Sequence, residues 1–296
     1  MNAAVSAFSS QPTRSAALLR AAGAFRALHD PRKMYLGKAQ RHALAGLQRL
    51  AADGCGGVGL LTGAPGLGKT LLRGALHQSA SVERCAVVAV ETALLGFDDL
   101  LLEILSQLRG ERVLPAELPG RYERIAELKA ALMSQVVASG RHLLVLCDDA
   151  EQLDPATLEA IGALGNLCSE RQAFVVPVFI GQPSLRQKLA RLPGLRQRIG
   201  GHFTLAALEP DETRHYLEHR LRGAELALPE VLEPALAGRI HVASGGVPRV
   251  IDTLCRHLLR HAGDQGQPRA TVASLDACRL QLLEPGAGPV PGFPGH

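Results

Sequence analysis

The chain of 296 residues contains no tryptophan, and aromatic residues make up only 3% of it. Proteins that hold single-stranded nucleic acid by base stacking need aromatic platforms, so the composition argues against that class. The six cysteines form no CxxC pair and no metal-ligand spacing, which indicates reduced thiols and a cytoplasmic protein. No segment approaches the roughly 18–20 uncharged apolar residues that cross a bilayer, so we expect no transmembrane segment.

Positive charge is concentrated near the N-terminus. Residues 1–50 contain eight Lys and Arg residues and one acid, Asp30, which gives +7 and leaves −3 for the rest of a chain whose total is +4. Such a segment is able to contact nucleic acid, anionic lipid or an acidic partner, and it is also typical of a solvated arm. We expect a flexible basic leader over residues 1–24.

Short apolar runs alternate with helical patterns between residues 58 and 205. Strands are predicted at Val58–Leu61, Cys85–Val90, His142–Cys147, Phe174–Ile180 and Phe203–Leu205. Helices are predicted at Lys69–Ser79, Phe97–Leu108, Arg121–Ala138, Asp154–Leu167 and Ser184–Leu192. This alternation predicts an α/β fold, a doubly wound parallel sheet between two layers of helices.

The pattern changes after Leu205. Helical segments are predicted at residues 210–223, 229–243, 247–262 and 271–283, separated by Pro and Gly. We therefore predict a core domain over residues 25–205 and a small all-helical domain over residues 206–284. The Pro- and Gly-rich segment 285–296 is predicted to be disordered.

A glycine-rich segment follows the first predicted strand and opens the next helix. Its glycines allow successive backbone N–H groups to face phosphate oxygens at the start of a helix. Lys69 would neutralise the β- and γ-phosphates of a nucleotide, and the Thr70 hydroxyl would bind Mg²⁺. The predicted nucleotide-binding residues are Gly63, Ala64, Pro65, Gly66, Leu67, Gly68, Lys69, Thr70 and Leu71.

Two carboxylates, Asp148 and Asp149, end the predicted strand that begins at His142. The carboxyl end of a parallel strand beside the phosphate loop is where such a sheet places its metal partner, so Asp148 is the predicted second Mg²⁺ ligand. Asp149 is the predicted catalytic base for the attacking water. An aspartate reaches about 1.5 Å less far than a glutamate. Since a misplacement of about 1 Å is able to cost about a hundredfold in rate, we expect slow hydrolysis.

Three further polar residues are candidates for contacts with the γ-phosphate. Gln182 follows the fourth predicted strand and would bond the phosphate or the attacking water. Arg249, after the helix-starting Pro248, would reach the phosphate from the helical domain. Arg198, or less favourably Arg196, would act across a subunit interface as an arginine finger, which requires a homo-oligomer.

The ordered motifs resemble the ExeA/GspA-like AAA+ ATPases, which are related to general secretion pathway protein A. The resemblance runs from about Phe25 to Leu259. The segments that carry it include Gly181-Gln182-Pro183-Ser184-Leu185-Arg186, Gln197-Arg198-Ile199 and Gly245-Gly246-Val247-Pro248-Arg249. It implies a P-loop AAA+ core with a helical lid, ATP and Mg²⁺ as cofactors, and ATP-dependent assembly. Transposition ATPases of the MuB and TniB kind belong to the same broad group.

Two positions depart from the pattern of that family. Asp149 stands where the family has Glu, and His202 stands where many members have a second arginine. Three functions follow as alternatives: an assembly motor or switch that acts on a protein partner, an ATP-dependent regulator that binds duplex DNA, and an ATP-binding scaffold without turnover. A small-molecule kinase is disfavoured, because the helical domain follows the sheet instead of being inserted within it.

Overall fold

Five strands form one parallel sheet in the part of the chain that the computed structural model describes, residues 11–28, 30–53, 57–80, 85–91, 96–167 and 173–283. The strand order is β2-β3-β4-β1-β5, and each printed pair is parallel. The strands are β1 (Val58–Gly63), β2 (Cys85–Glu91), β3 (His142–Asp148), β4 (Val175–Gly181) and β5 (Ile199–Leu205). The α/β fold class and all five strand positions are therefore confirmed.

The burial of the strands explains the apolar runs in the sequence. Every residue of β1, β3 and β4 is buried, whereas exposed and half-buried residues alternate along most of β5 at the edge of the sheet. A parallel sheet with helices on both faces has central strands that are apolar throughout, because neither face meets water. The apolar signal of β5 is weak because an edge strand is only partly covered by other residues, so that polar side chains are tolerated along it.

Helices connect the strands. In the sheet unit they are α2 (Lys38–Asp53), α3 (Lys69–Ala80), α4 (Phe97–Arg109), α5 (Arg121–Ala131), α6 (Pro155–Leu164), α7 (Pro183–Ala190) and α8 (Pro193–Arg196). The start of α6 illustrates their local signals: the Asp154 carboxylate caps the Thr157 N–H at 2.9 Å, and Pro155 occupies the first turn. The helix predicted at Arg121–Ala138 is α-helical only to Ala131 and continues as a π turn and a 3-10 turn.

A second unit is helical. Its described residues fall within residues 11–28, 65–68 and 207–283. Its helices are α1 (Gln11–Ala24), α9 (Pro210–Arg222), α10 (Leu228–Val231), α11 (Leu236–Ser244), α12 (Pro248–Asp264) and α13 (Val272–Leu283). The helix predicted at residues 229–243 is interrupted at residues 232–235. Leu232 is extended and pairs with Ala270, and Pro234 lacks the N–H that would continue a helix.

The N-terminal segment differs from the prediction of a flexible leader. Residues 11–24 form α1, which packs against α12. The apolar residues Leu18, Ala21 and Ala22 of this helix and Phe25 directly after it are at most 2% exposed. These positions have the i, i+3, i+4, i+7 spacing of an amphipathic helix, a signal that the high Ala and Arg content obscures. The predicted domain boundaries change accordingly, because α1 and residues 65–68 cluster with the helical unit. Residues 1–10 and the predicted tail 285–296 lie outside the described residues.

A buried arginine joins α1 to the rest of the helical unit. The Arg220 guanidinium donates to the carbonyl oxygens of Ala24 and Arg26, each at 2.6 Å, and to Asp252 Oδ2 at 2.7 Å. It also donates to the Tyr216 hydroxyl at 3.0 Å. Arg220 is 7% exposed, so these partners must offset the free-energy cost of removing its charge from water.

We expect Arg220→Ala to lower the free energy of unfolding by about 3 kcal/mol, because it leaves the Asp252 carboxylate, whose side chain is only 16% exposed, without its cation. Arg222→Ala is the matched control. Arg222 is an exposed arginine on the same helix, and its loss should change stability by about 0.5 kcal/mol at most. Urea denaturation followed by circular dichroism measures both. Equal, small effects for the two variants would contradict a stabilising role for Arg220.

Candidate active site

The predicted phosphate loop leads from β1 into α3. Gly66 has φ +84° and Gly68 has φ +89°, and α3 begins at Lys69. The Lys69 ammonium donates to the carbonyl oxygens of Gly63 at 2.8 Å and Ala64 at 3.3 Å. The lysine therefore lies over the loop, at a helix N-terminus whose backbone N–H groups favour an anion.

Two features of the helical unit favour glycine over any other residue at position 66. The φ of Gly66 is in the left-handed region, and a Cβ added to this residue would lie 3.0 Å from both the Arg249 Cβ and the Val247 Cγ1. Its carbonyl oxygen accepts a hydrogen bond from the Arg249 N–H at 3.3 Å. The structure thus brings the start of α12 to residue 66 of the loop, while the Arg249 side chain is exposed.

The two predicted carboxylates lie at the carboxyl end of β3 and differ in environment. Asp148 is 5% exposed, and its Oδ1 accepts the Asp149 N–H at 3.1 Å. Asp149 is exposed and has φ +49°, an uncommon conformation for a residue with a side chain. Partial desolvation of this carboxylate raises the pKa of Asp149, with Asp148 and Glu151 adding to the shift and Lys69 and Arg73 acting against it.

Arg73 is a residue of this site that the sequence analysis missed. Its Nη1 lies 3.6 Å from the Asp148 Oδ2, and its Nη2 donates to the Glu91 Oε1 at 3.4 Å. Arg73 stands four residues after Lys69 on α3, so the two cations share a helix face. This i, i+4 spacing was the signal that would have found it.

Glu151 connects the end of β3 to the predicted sensor Gln182. Its Oε2 accepts the Gln182 main-chain N–H at 3.1 Å, and its Oε1 is buried with no hydrogen bond within the described residues. Gly181 allows this approach, because an added Cβ would overlap the Glu151 carboxylate. Gln182 itself is the exposed residue before α7, and no side-chain hydrogen bond caps the helix there.

Arg198 lies between α8 and β5 and is half-buried. Its Nη1 donates to the Gly162 carbonyl oxygen at 3.5 Å. With the Asn166 amide turned so that its oxygen faces the guanidinium, that oxygen lies 3.2 Å from Nη1 and 3.3 Å from Nη2. The guanidinium lines an open pocket of about 200 Å³, whereas Arg196 is exposed.

His202 stands where many members of the resembled family have a second arginine, and it bonds within the sheet. Its Nε2 lies 2.9 Å from the Thr62 hydroxyl, just before the phosphate loop. Burial lowers the pKa of the His202 imidazole, and the charge of Arg186 lowers it further. A neutral imidazole at this position does not replace the cation that an arginine would provide.

The predicted metal ligands fit a hard divalent cation in their chemistry. Thr70 and Asp148 offer hydroxyl and carboxylate oxygens, the donors that Mg²⁺ prefers. The described part of the chain holds no group of three or more His, Cys, Asp or Glu residues placed to bind a metal. A magnesium ion here would therefore depend on phosphate oxygens and water for its remaining ligands, as is usual for this ion.

Known proteins resemble this chain in sequence. Residues 53–189 match the family of AAA domains. The chain is 30% identical over 255 residues, 86% of its length, to general secretion pathway protein A of Aeromonas hydrophila. It spans 45% of that relative's length.

Solved structures share the fold. The Aeropyrum pernix ORC2 protein, in ADPNP–ADP complexes, superposes with a TM-score of 0.64 at 18% identity, covering 86% of this chain and 70% of that one. Drosophila ORC bound to DNA gives 0.67 at 16% identity, covering 90% and 66%. Among the described helices, none combines the length and the apolar character needed to cross a membrane.

Proposed function

We propose that this chain, which belongs to the AAA+ ATPases and is a homologue of general secretion pathway protein A, binds ATP together with Mg²⁺. It hydrolyses the ATP slowly, and the nucleotide state controls its assembly with a protein partner. The observation that carries the proposal concerns helix α3 and the end of β3. The Lys69 ammonium at the start of α3 donates to the Gly63 carbonyl oxygen, and the buried Asp148 lies 3.6 Å from Arg73 of the same helix. Lys69 and the loop N–H groups would hold the phosphates, and Thr70 and Asp148 would hold the metal. Bound Mg²⁺ would supply charge neutralisation at the transferring phosphoryl group.

Asp149 is the proposed base, with Gln182 and Arg249 as γ-phosphate contacts. Asp149 directly follows the proposed metal ligand Asp148 and is exposed, so its carboxylate is accessible to a water molecule. Its left-handed backbone and shorter side chain act against an ideal placement of the water. Together these features support turnover that is real but slow.

Assembly of identical subunits would complete the site. Arg198 is held by Gly162 and Asn166 at an open pocket, so its guanidinium is oriented before any neighbour arrives. A preoriented arginine loses little conformational entropy when it meets a phosphate. We therefore keep Arg198 as the proposed finger across the interface, with the exposed Arg196 as the alternative.

We expect Lys69→Ala to weaken ATP binding at least about tenfold, about 1.4 kcal/mol, and to abolish ATP-dependent assembly. Calorimetry with ATP and Mg²⁺ measures the first effect, and size-exclusion chromatography with light scattering measures the second. Lys129→Ala, which removes an exposed lysine from α5, is the control and should bind ATP as the unaltered chain does. A folded unaltered chain that gave no heat of association would end the proposal.

Turnover should depend on residue 149. We expect Asp149→Ala to reduce ATP hydrolysis about a hundredfold and Asp149→Glu to raise it about tenfold, since a longer carboxylate places the water better. Release of inorganic phosphate is the measurement, with Asp99→Ala on α4 as the exposed acidic control. Turnover at background level in all four proteins would instead favour the ATP-binding scaffold.

Binding of duplex DNA is the second candidate, and a cluster of exposed cations along one stretch of the sequence favours it. Five basic residues of the sheet unit are exposed within residues 30–53: Arg32, Lys33, Lys38, Arg41 and Arg49. Two related folds carry DNA in their solved structures, Drosophila ORC and the Aeropyrum pernix ORC1 protein. Contacts between such residues and phosphates would release counterions on binding.

If DNA is the partner, fluorescence anisotropy with a labelled duplex and ATP should show affinity that falls steeply with salt. The double variant Arg41→Glu, Arg49→Glu should then lose most of it, whereas Arg191→Glu, an exposed arginine outside the cluster, should not. Absence of binding at low salt would exclude this candidate.

A further inference from the structure

Arg73 lies between two carboxylates that the strands place side by side. Glu91 and Asp148 are the last residues of β2 and β3 and are paired in register. The Arg73 side chain is 15% exposed, the Asp148 side chain 7% and the Glu91 side chain 84%. The cation is thus largely buried, with one partner fixed inside the sheet and the other at the surface.

Neither contact of Arg73 has the length of a strong ion pair. The distances of 3.6 Å to Asp148 and 3.4 Å to Glu91 both exceed the 2.7–2.9 Å of a charge-assisted hydrogen bond. The Nη1 nitrogen is buried and makes no hydrogen bond within the described residues. A guanidinium shared in this way is able to move towards either carboxylate with a small displacement of its side chain.

A divalent metal on Asp148 would face this cation at close range. Two positive groups that share one buried carboxylate repel each other, and the repulsion is stronger where water is partly excluded. Asp148 is fixed at the end of a buried strand, whereas the exposed Glu91 side chain has rotamer freedom. The Arg73 guanidinium is therefore able to shift towards Glu91 when a metal binds, whereas a metal held by the fixed Asp148 is not able to shift.

We propose that Arg73 competes with the divalent metal for Asp148, and that Glu91 accepts the guanidinium when the metal binds. Arg73 and Glu91 then set how much the bound metal raises the affinity for the nucleotide. The inference rests on the proposed function, because it concerns the same metal ligand. Arg73 and Glu91 are positioning residues: they act through Asp148.

The quantity that reports this exchange is the ratio of the nucleotide Kd in EDTA to the Kd at saturating Mg²⁺. It measures the coupling between metal and nucleotide and does not require turnover. A fluorescent N-methylanthraniloyl ATP supplies both constants. Electron paramagnetic resonance of Mn²⁺ with ATP present counts the bound metal directly.

We expect Glu91→Gln to lower this ratio about threefold to fivefold, because the neutral amide no longer draws Arg73 from Asp148 and exposed charges have modest effects. Arg73→Gln should change the ratio in the opposite direction, raising it about threefold or more, since the competitor is gone. In the double variant the effect of Glu91→Gln should disappear, because its only route is through Arg73.

Glu103→Gln is the matched control. Glu103 lines the same surface pocket as Arg73 and Glu91 and accepts a hydrogen bond from Gln107, so its loss changes the local charge equally. The control should leave the ratio unchanged. Glu91→Gln carries the test by itself if Arg73→Gln does not fold, because Glu91 is exposed.

Shifts of the same sign in both single variants, or no shift in Glu91→Gln, would overturn this inference while leaving the proposed function intact. If Arg73 and Glu91 only held Asp148 in position, loss of either side chain would disorder the Asp148 carboxylate, and both single variants would shift the ratio in the same direction. Absence of nucleotide binding by the unaltered chain would instead contradict the proposed function itself.

Discussion

The position of Asp148 depends on the burial of β3. Seven consecutive residues of this strand are buried, and the strand pairs in parallel with β2 on one side and β4 on the other. Such a strand tolerates a charge only at its end, where the carboxylate reaches the edge of the sheet. The proposed metal ligand and the proposed base take their places from this one strand, and Arg73 of α3 lies beside the ligand.

Charge balance at that edge is the second constraint. Asp148 is buried but lies beside Arg73, and Lys69 and Arg73 also act on Asp149, which limits the cost of placing two carboxylates in sequence. Glu151 adds a third carboxylate that binds the Gln182 main chain instead of a cation. The end of β4 is thus linked through this side chain to the segment that directly follows β3.

The helical unit has its own organising contact. Arg220 binds carbonyl oxygens at the end of α1 and the carboxylate of Asp252 on α12. Helix α1 therefore belongs to this unit although more than 180 residues separate it from α9 in the chain. The basic charge of the N-terminal region is divided as a result: α1 lies in the helical unit, and α2 presents its cations on the sheet unit.

The local pattern of the sequence was sufficient to predict the strands of the sheet and the start of the helix that follows the glycine-rich loop. Apolar runs identified all five strands, most clearly β1, β3 and β4, because fully buried parallel strands carry no polar alternation. The glycine-rich loop identified the start of α3 through a spacing that is typical of phosphate sites. Three features were decided by tertiary structure: the packing of α1 on α12, the pairing of Arg73 with Asp148 and Glu91, and the contact of Glu151 with Gln182. Each joins residues distant in the chain through side-chain contacts, and local periodicity contains no information about which distant partner a side chain meets.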